Sequence, residues 1–333
     1  MMNSRRELLR QGMVIGSMLG ACRSMTLVRA ATEELPALPP VVIDSHTHFY
    51  DPSRPQGVPW PAPEDRILHR TVLPADWEQV VEPLGVTGTV VVEASPWVED
   101  TQWLLDLAER HAPVATRQGI VAVIGNLPLG ALGCAALIDR FAADRRFRGI
   151  RVNGDALLAG LDDRAYRADL GRLADHGLAI DVNHGDVFAA VDRLAPQFRP
   201  LRIVVDHLGG PVVAPPGPTE TWTAGVERVA GHANVWMKVS AILESAVHAS
   251  RVAGGRGEVP AAEAVVPWLD TAFARFGDGR LLFGSNWPVS DLAGSYADIL
   301  GLVRRSVAAR GEDAGKAFWA GAAADAYRWP EKG

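Results

Sequence analysis

Cysteine is nearly absent from this sequence: Cys22 and Cys134 are the only two in 333 residues. Cys22 falls in an N-terminal stretch that reads as removable, so no intramolecular disulfide is expected and stability must come from burial. An excess of positive charge is missing too. Lys and Arg total 33 against 39 Asp and Glu, a formal net charge of -6, so no basic field exists to hold nucleic acid or an anionic membrane surface. A membrane span is likewise not expected: the apolar run at residues 13–19 is far shorter than the roughly 20 residues needed to cross a bilayer. Finally, no glycine-rich phosphate loop follows the first predicted strand, which argues against a nucleotide-binding open sheet.

What is present begins with an export pattern. Arg5-Arg6 precede the short apolar run, the charged-then-apolar order of a twin-arginine signal, assigned to residues 1–30. Two cleavage points compete. Val28-Arg29-Ala30 leaves a soluble periplasmic or secreted product, whereas Leu19-Gly20-Ala21-Cys22 resembles a lipoprotein box that would leave a lipid anchor on Cys22. Losing five arginines and one glutamate with this segment takes the net charge from -6 to -10. Residues 31–40, rich in proline, read as a tether, and no later linker divides the chain, so residues 41–330 are expected to form one domain.

Within that domain short β-branched apolar runs alternate with longer stretches of helical period. The strands expected are 41–44, 88–93, 119–124, 149–153, 178–183, 202–206, 234–240 and 280–284. Helices are expected at 74–84, 101–111, 129–143, 166–176, 187–194, 221–230 and 261–276, with a closing pair at 291–309 and 314–327. Runs such as Val90-Val91-Val92 are apolar on consecutive residues, as expected of strands covered on both faces. Eight such strands predict an α/β fold, a (β/α)₈ TIM barrel, with a doubly wound open sheet as the alternative.

Barrels carry their chemistry at the C-terminal ends of the strands. The first strand runs into Asp44-Ser45-His46-Thr47-His48, and residues two apart on a strand face the same way, so His46 and His48 form a candidate metal pair. Strand four carries Arg151, strand five ends at Asn183-His184, and strand six at Asp206-His207. His207 is a third candidate ligand, while His184 could bind substrate, support a ligand or accept a proton. Arg151 could fork onto a carboxylate or lactone oxygen, or pair with a neighbouring acid. Lys238, ending strand seven with Ser240, reads as support for a carboxylate or substrate anion. Glu93, Asp206, Asp44, Asp291 and His184 are the candidate proton acceptors; Glu93 fits best if it points into the mouth, with an outward-facing role as the alternative. Phe49, Tyr50, Trp60, Trp97 and Trp287 could face the C–H side of a sugar or plug the barrel, whereas Trp77 and Trp103 lie on helices and read as core.

Asp44-Ser45-His46-Thr47-His48, Arg148-Gly149-Ile150-Arg151, Val205-Asp206-His207-Leu208-Gly209 and Phe283-Gly284-Ser285-Asn286-Trp287-Pro288 together resemble the strand-one, four, six and eight signatures of the amidohydrolase superfamily. The likeness is to the branch holding fuconolactonase and pyrone-dicarboxylate lactonase, and it runs from about Val41 to Tyr327. It implies that His46, His48 and His207 hold a divalent metal, zinc in the first instance, and that Arg151 anchors a small-molecule substrate, to which the strand-end positions add Lys238, Trp97 and Trp287 as candidate contacts. It implies a hydrolase opening a sugar lactone by water attack, with a metal-dependent decarboxylase as the alternative. The departure is Asn286, where better-known members carry an aspartate that binds metal and takes the proton; asparagine can do neither as well, which also admits metal-independent action or a barrel that only binds a sugar acid. Some lactonases of this branch work without metal. The oligomeric state is not set by the sequence, and a homo-oligomer is compatible with it.

Overall fold

The computed structural model describes residues 37–112, 119–257 and 259–329. The export segment, Cys22 and both cleavage points lie outside the described residues, as does most of the tether. Eight parallel strands follow one another round the sheet in chain order: β1 (Ile43–Thr47), β2 (Gly88–Val92), β3 (Gly119–Gly125), β4 (Phe147–Asn153), β5 (Ala179–Asn183), β6 (Arg202–Val205), β7 (Val235–Val239) and β8 (Leu281–Phe283). The ring closes where Thr47 pairs in parallel with Trp287, secured by His48 N–H to Trp287 O at 2.9 Å and Asn286 N–H to His46 O at 2.9 Å. Asp44 locks the same seam. Its carboxylate accepts bonds from Ser285 N–H at 2.8 Å, Ser285 Oγ at 2.5 Å and Tyr296 Oη at 2.8 Å. This is therefore a (β/α)₈ barrel, and the open-sheet alternative is excluded.

Two apolar clusters explain why consecutive strand residues are apolar. One joins the outer strand faces, such as Val91, Val123, Ile203 and Phe283, to the surrounding helices. The other fills the barrel with Val90, Val92, Ile124, Val204, Trp236 and Leu282, and is closed by helix Ala322–Tyr327. Each strand thus buries both faces, the arrangement parallel sheets require. Trp77 is buried as expected, while Trp103 is partly buried with the Arg54 guanidinium 4.4 Å over its ring.

Helix positions match the expected ones within a few residues, with two additions. Gly154–Gly160 follows β4, capped by the Asn153 side chain on Asp155 and Ala156 N–H, and Ile242–Val252 follows β7. Both precede the helix expected in their crossover, so each is an insertion at the catalytic end of a strand. The closing segment 314–327 is not one helix. It divides into Glu312–Lys316, a wide-turn stretch Ala317–Gly321, and Ala322–Tyr327.

Candidate active site

Strand period two points alternate residues of β5 to β8 inward, and toward the C-terminal end these inward positions change from apolar to polar. In β1 the pairing register shifts between Asp44 and Thr47, a bulge of the kind that re-aims side chains. His46 lies within it and His48 just beyond it. Space for His46 comes from Gly284, where a side chain would place its Cβ 2.9 Å from His46 Cβ and 3.1 Å from that of Ser240. The His46 ring lies 5.0 Å from that of His48 and 4.5 Å from that of His207. Imidazoles separated by some 160 residues of chain therefore meet at one mouth of the barrel, as the sequence motifs implied.

The backbone is strained at the same mouth. Of six non-glycine residues with positive φ among the described residues, five stand where β5 to β8 end: His184, His207, Leu208, Ala241 and Asn286. Such conformations persist only where surrounding structure enforces them, and they concentrate at functional sites.

Beneath the imidazoles lies a buried charge cluster. Lys238 on β7, 0% exposed, places Nζ 2.6 Å from Asp181 Oδ2, 3.0 Å from Asp206 Oδ1 and 3.1 Å from His46 Nδ1. Tyr327 Oη donates to the Asp181 carboxylate from the closing helix. Burial works against ionisation of Asp206, yet Lys238 and the imidazoles beside it hold its carboxyl well below the usual range. Burial, with Arg151 as a nearby charge, pushes His48 down to about 3, and burial pushes His207 down to about 4; His46 falls well below its ordinary value through burial and then Lys238. All three imidazoles are thus neutral near pH 7. His48 Nδ1 contacts the Val92 carbonyl at 3.0 Å. A carbonyl only accepts, so His48 carries its proton there and keeps a lone pair on Nε2.

His46, Asp206 and His207 bring ligand atoms within 4.8 Å of one another, and His46 Nε2 and Asp206 Oδ2 are buried without a hydrogen-bond partner, Asp206 Oδ1 being paired with Lys238. Two neutral imidazoles and a carboxylate are the donor types a divalent cation such as zinc takes; His46 would offer Nε2 with its proton moved to Nδ1, which now accepts from Lys238. The set differs from the expected one: Asp206 takes the place given to His48, whose ring stands beside the group. Asn286 is turned away from it, with Nδ2 donating to Glu244 Oε1 at 2.8 Å.

Above the cluster the mouth opens into a cavity with two lobes of about 490 and 510 Å³ that share His184, His207 and Ala241. One lobe is walled by Asp206, Ser240, Glu244, Ser245 and His248. The other is walled by His48, Trp60, Glu93, Asn126, Arg151 and Asn286. Glu93 does face the mouth, but as a partner of Arg151: the guanidinium donates to Glu93 Oε1 at 2.8 Å and to its carbonyl at 2.7 Å. That engagement corrects its reading as the leading free base, and leaves Arg151 further N–H donors along the cavity wall.

Three expected substrate contacts need correction. Lys238 lies below the imidazoles with no exposure, so its stem and charge serve the cluster. Trp287 is 2% exposed and packs edge-on against Phe49 at 6.4 Å, its backbone closing the barrel. Trp97 begins helix Val98–Arg110 and is not among the residues walling either lobe. Trp60, 6.2 Å from the His48 ring, is the indole that reaches the cavity. Asp44 and Asp291 are also committed elsewhere, Asp44 to the seam and Asp291 to Arg70 at 2.9 Å.

Sequence reasoning missed Glu244, Asp181 and Tyr327. Glu244 sits on the unexpected helix after β7, although Ile242, Leu243, Ala246 and Val247, all buried, recur at helical spacing and could have revealed it. Asp181 interrupts an apolar strand at an inward position, a legible signal of a buried partner. Nothing in the sequence announces the reach of Tyr327.

Comparison with known proteins agrees with this geometry. An L-fucono-1,5-lactonase from Burkholderia ambifaria is 34% identical over 77% of this chain and 83% of that protein. A 2-pyrone-4,6-dicarboxylate hydrolase from Comamonas testosteroni is 27% identical over 78% of this chain and 81% of its own length. Among solved structures, an amidohydrolase from Burkholderia multivorans, crystallised with bound zinc, superposes with a TM-score of 0.73 at 28% identity, covering 88% of this chain and all of that one. The relatives support a lactone-hydrolysing enzyme. A family model described as amidohydrolase spans residues 43–329, nearly the whole described barrel, and the chain belongs to that family.

Proposed function

We propose that this protein opens a sugar lactone, or a related small lactone, by adding water to its carbonyl. The observation carrying the reading is the meeting of His46, His48 and His207 under a cavity whose opposite wall is Arg151. The fuconolactonase relatives supply the substrate class. His46, whose Nδ1 accepts from the Lys238 ammonium and whose proton therefore sits on Nε2, can donate a hydrogen bond to the oxygen on which charge develops, whereas the one N–H of His48 is taken by the Val92 carbonyl; burial strengthens the bond. Arg151, fixed by Glu93, holds the polar or anionic end of the substrate, and Trp60 offers an apolar face to the sugar ring. His184, on the ridge between the lobes, meets substrate from above. A divalent ion, if bound, would be held by His46, Asp206 and His207 and would polarise the carbonyl as a Lewis acid.

A pH-indicator screen of sugar lactones, L-fucono-1,5-lactone among them, should show acid release above the uncatalysed rate. Hydroxy acid must appear in equal amount. Carbon dioxide as product would establish the decarboxylase alternative instead, and saturable binding of sugar acids without turnover would establish a binding barrel. Metal analysis of the purified protein before and after chelation settles occupancy.

Residues 1–30 are proposed to direct twin-arginine export, giving a periplasmic or secreted enzyme, with acylation at Cys22 as the alternative product. The support is Arg5-Arg6 ahead of the short apolar run. Sequencing the mature N-terminus from a bacterial host decides between the two cleavage points. The proposed assembly, a homo-oligomer, is tested by light scattering.

A further inference from the structure

Hydrolysis of a lactone near neutral pH needs a group to take a proton from water, and most carboxylates at this mouth already have partners. Glu93 holds Arg151, Asp206 and Asp181 face Lys238, Asp44 locks the β1–β8 seam, and Asp291 pairs with Arg70. Glu244 differs. It walls the same lobe as His207 and Asp206. Its Oε1 accepts one hydrogen bond, from Asn286 Nδ2 at 2.8 Å, while Oε2 is shielded and has no partner. Asn286, although chemically unable to take a proton, is held in a left-handed conformation at φ 59° that aims its amide at this carboxylate.

We propose that Glu244 is the catalytic proton acceptor of this site and that Asn286 is its positioning residue. The inference rests on the lactone-opening reading above. Oε2 takes a proton from the attacking water as the water oxygen bonds to the carbonyl carbon. When the tetrahedral intermediate collapses, the ring C–O bond breaks and the same proton passes from Glu244 to the departing ring oxygen. The products are an alcohol and a carboxylic acid, which ionises to solvent, and Glu244 returns to its starting charge. Burial raises the Glu244 carboxyl to about 7, with Asn286 lowering and Asp291 raising it further; an acid with that value suits proton transfer in both directions. The groups that share its lobe are His248 on its own helix, Asp206 and His207 beyond β6, and His184 beyond β5. The charged side chain that acts on it from outside the lobe is Asp291, itself paired with Arg70.

The test uses the full-length protein and whichever sugar lactone the wild type opens fastest. Glu244→Gln preserves shape and should lower kcat by about 10²–10⁴-fold with KM changed little, and should remove the acidic limb of the kcat–pH profile near pH 7. Glu244→Asp should keep a measurable fraction of kcat. Adding Asn286→Asp to Glu244→Gln should restore part of the lost rate by returning a carboxylate to the same spot. A Glu244→Gln protein that melts at or above the wild-type midpoint yet keeps kcat within about threefold, or keeps the acidic limb, overturns the assignment while lactone opening stands. A wild type that opens no lactone overturns the functional reading, and the assignment falls with it.

Discussion

Replacing Lys238 with Met should destabilise the protein severely, because Met keeps the apolar stem but removes the only cation among Asp181, Asp206 and His46. Lys238 and both carboxylates are 0% exposed, at 2.6 and 3.0 Å. Removing one member of such a set leaves buried charge without compensation, worth about 3–5 kcal/mol, whereas the near-isosteric stem contributes little to the loss. At roughly 2–4 °C of melting midpoint per kcal/mol, the midpoint should fall by roughly 6–20 °C. Tyr327 still donates to Asp181, so Asp206 should bear most of the penalty. The effect also has a pH dependence. In the wild type Asp206 is held low, so its contribution is present above the unfolded-state value and lost as pH falls through the folded one. Without Lys238, burial raises both carboxyls, and the variant then loses stability as pH rises. The deficit, followed by circular dichroism melts between pH 4.5 and 8, should therefore widen with pH. Adding Asp206→Asn should recover much of it. A midpoint within about 2 °C of wild type at pH 8 would show that the cluster is cheaply neutralised, and the reading of Lys238 as the floor of the site would be wrong.

Glu244→Gln should have an opposite signature. The folded carboxyl titrates at about 7, above its unfolded value, so wild-type stability falls as pH rises through that window, by up to about 3 kcal/mol; the Gln variant should gain in midpoint over wild type between pH 5 and 8, and no gain at pH 8 would contradict the burial. His46→Ala should lower kcat by about 10²–10³-fold, as loss of an oxyanion-stabilising donor does, with an unchanged circular dichroism spectrum; full turnover would remove the proposed mechanism. Arg151→Lys cannot reproduce the fork onto Glu93 and substrate and should reduce kcat/KM by about 10–100-fold, mostly through KM for an anionic lactone; an unaffected KM would place the substrate elsewhere in the cavity.

How far these positions could be read from sequence depended on which physical signal carried them. The eight strands were legible because both faces of a parallel sheet are covered, which turns Val90-Val91-Val92 into an unbroken apolar run. His46, His48, Arg151 and His207 were legible because strand ends place polar residues directly behind such runs. Trp287 was misread for the same reason: it follows a strand, but its carbonyl and the Asn286 N–H close the barrel and its indole goes to Phe49. Lys238 was placed in the mouth because its partner Asp181 lies 57 positions away, and no local pattern shows that the two meet below the imidazoles. Glu93 illustrates a milder limit. Its direction was read correctly, but whether it is free depends on Arg151, two strands distant.

Asn286 is the instructive case, because a departure from a motif acquires meaning only from what stands beside it. In sequence it is a lost carboxylate, consistent with weakened catalysis or with none. In space its amide donates to a carboxylate from the helix after β7, so the negative charge absent from the end of β8 is present one strand away. A barrel mouth permits this exchange, since the end of every strand reaches the same cavity and a proton acceptor can move from one to the next while keeping its distance to the reacting carbon. The argument then depends on whether Glu244 is held as firmly as a residue on β8 would be. Its helix is capped by Ala241, held at φ 52°, and buries Ile242 and Leu243 before Glu244 and Ala246 and Val247 after it. That anchoring makes the carboxylate part of the scaffold, and a proton acceptor so fixed can serve a transition state without the entropy cost a mobile loop would add.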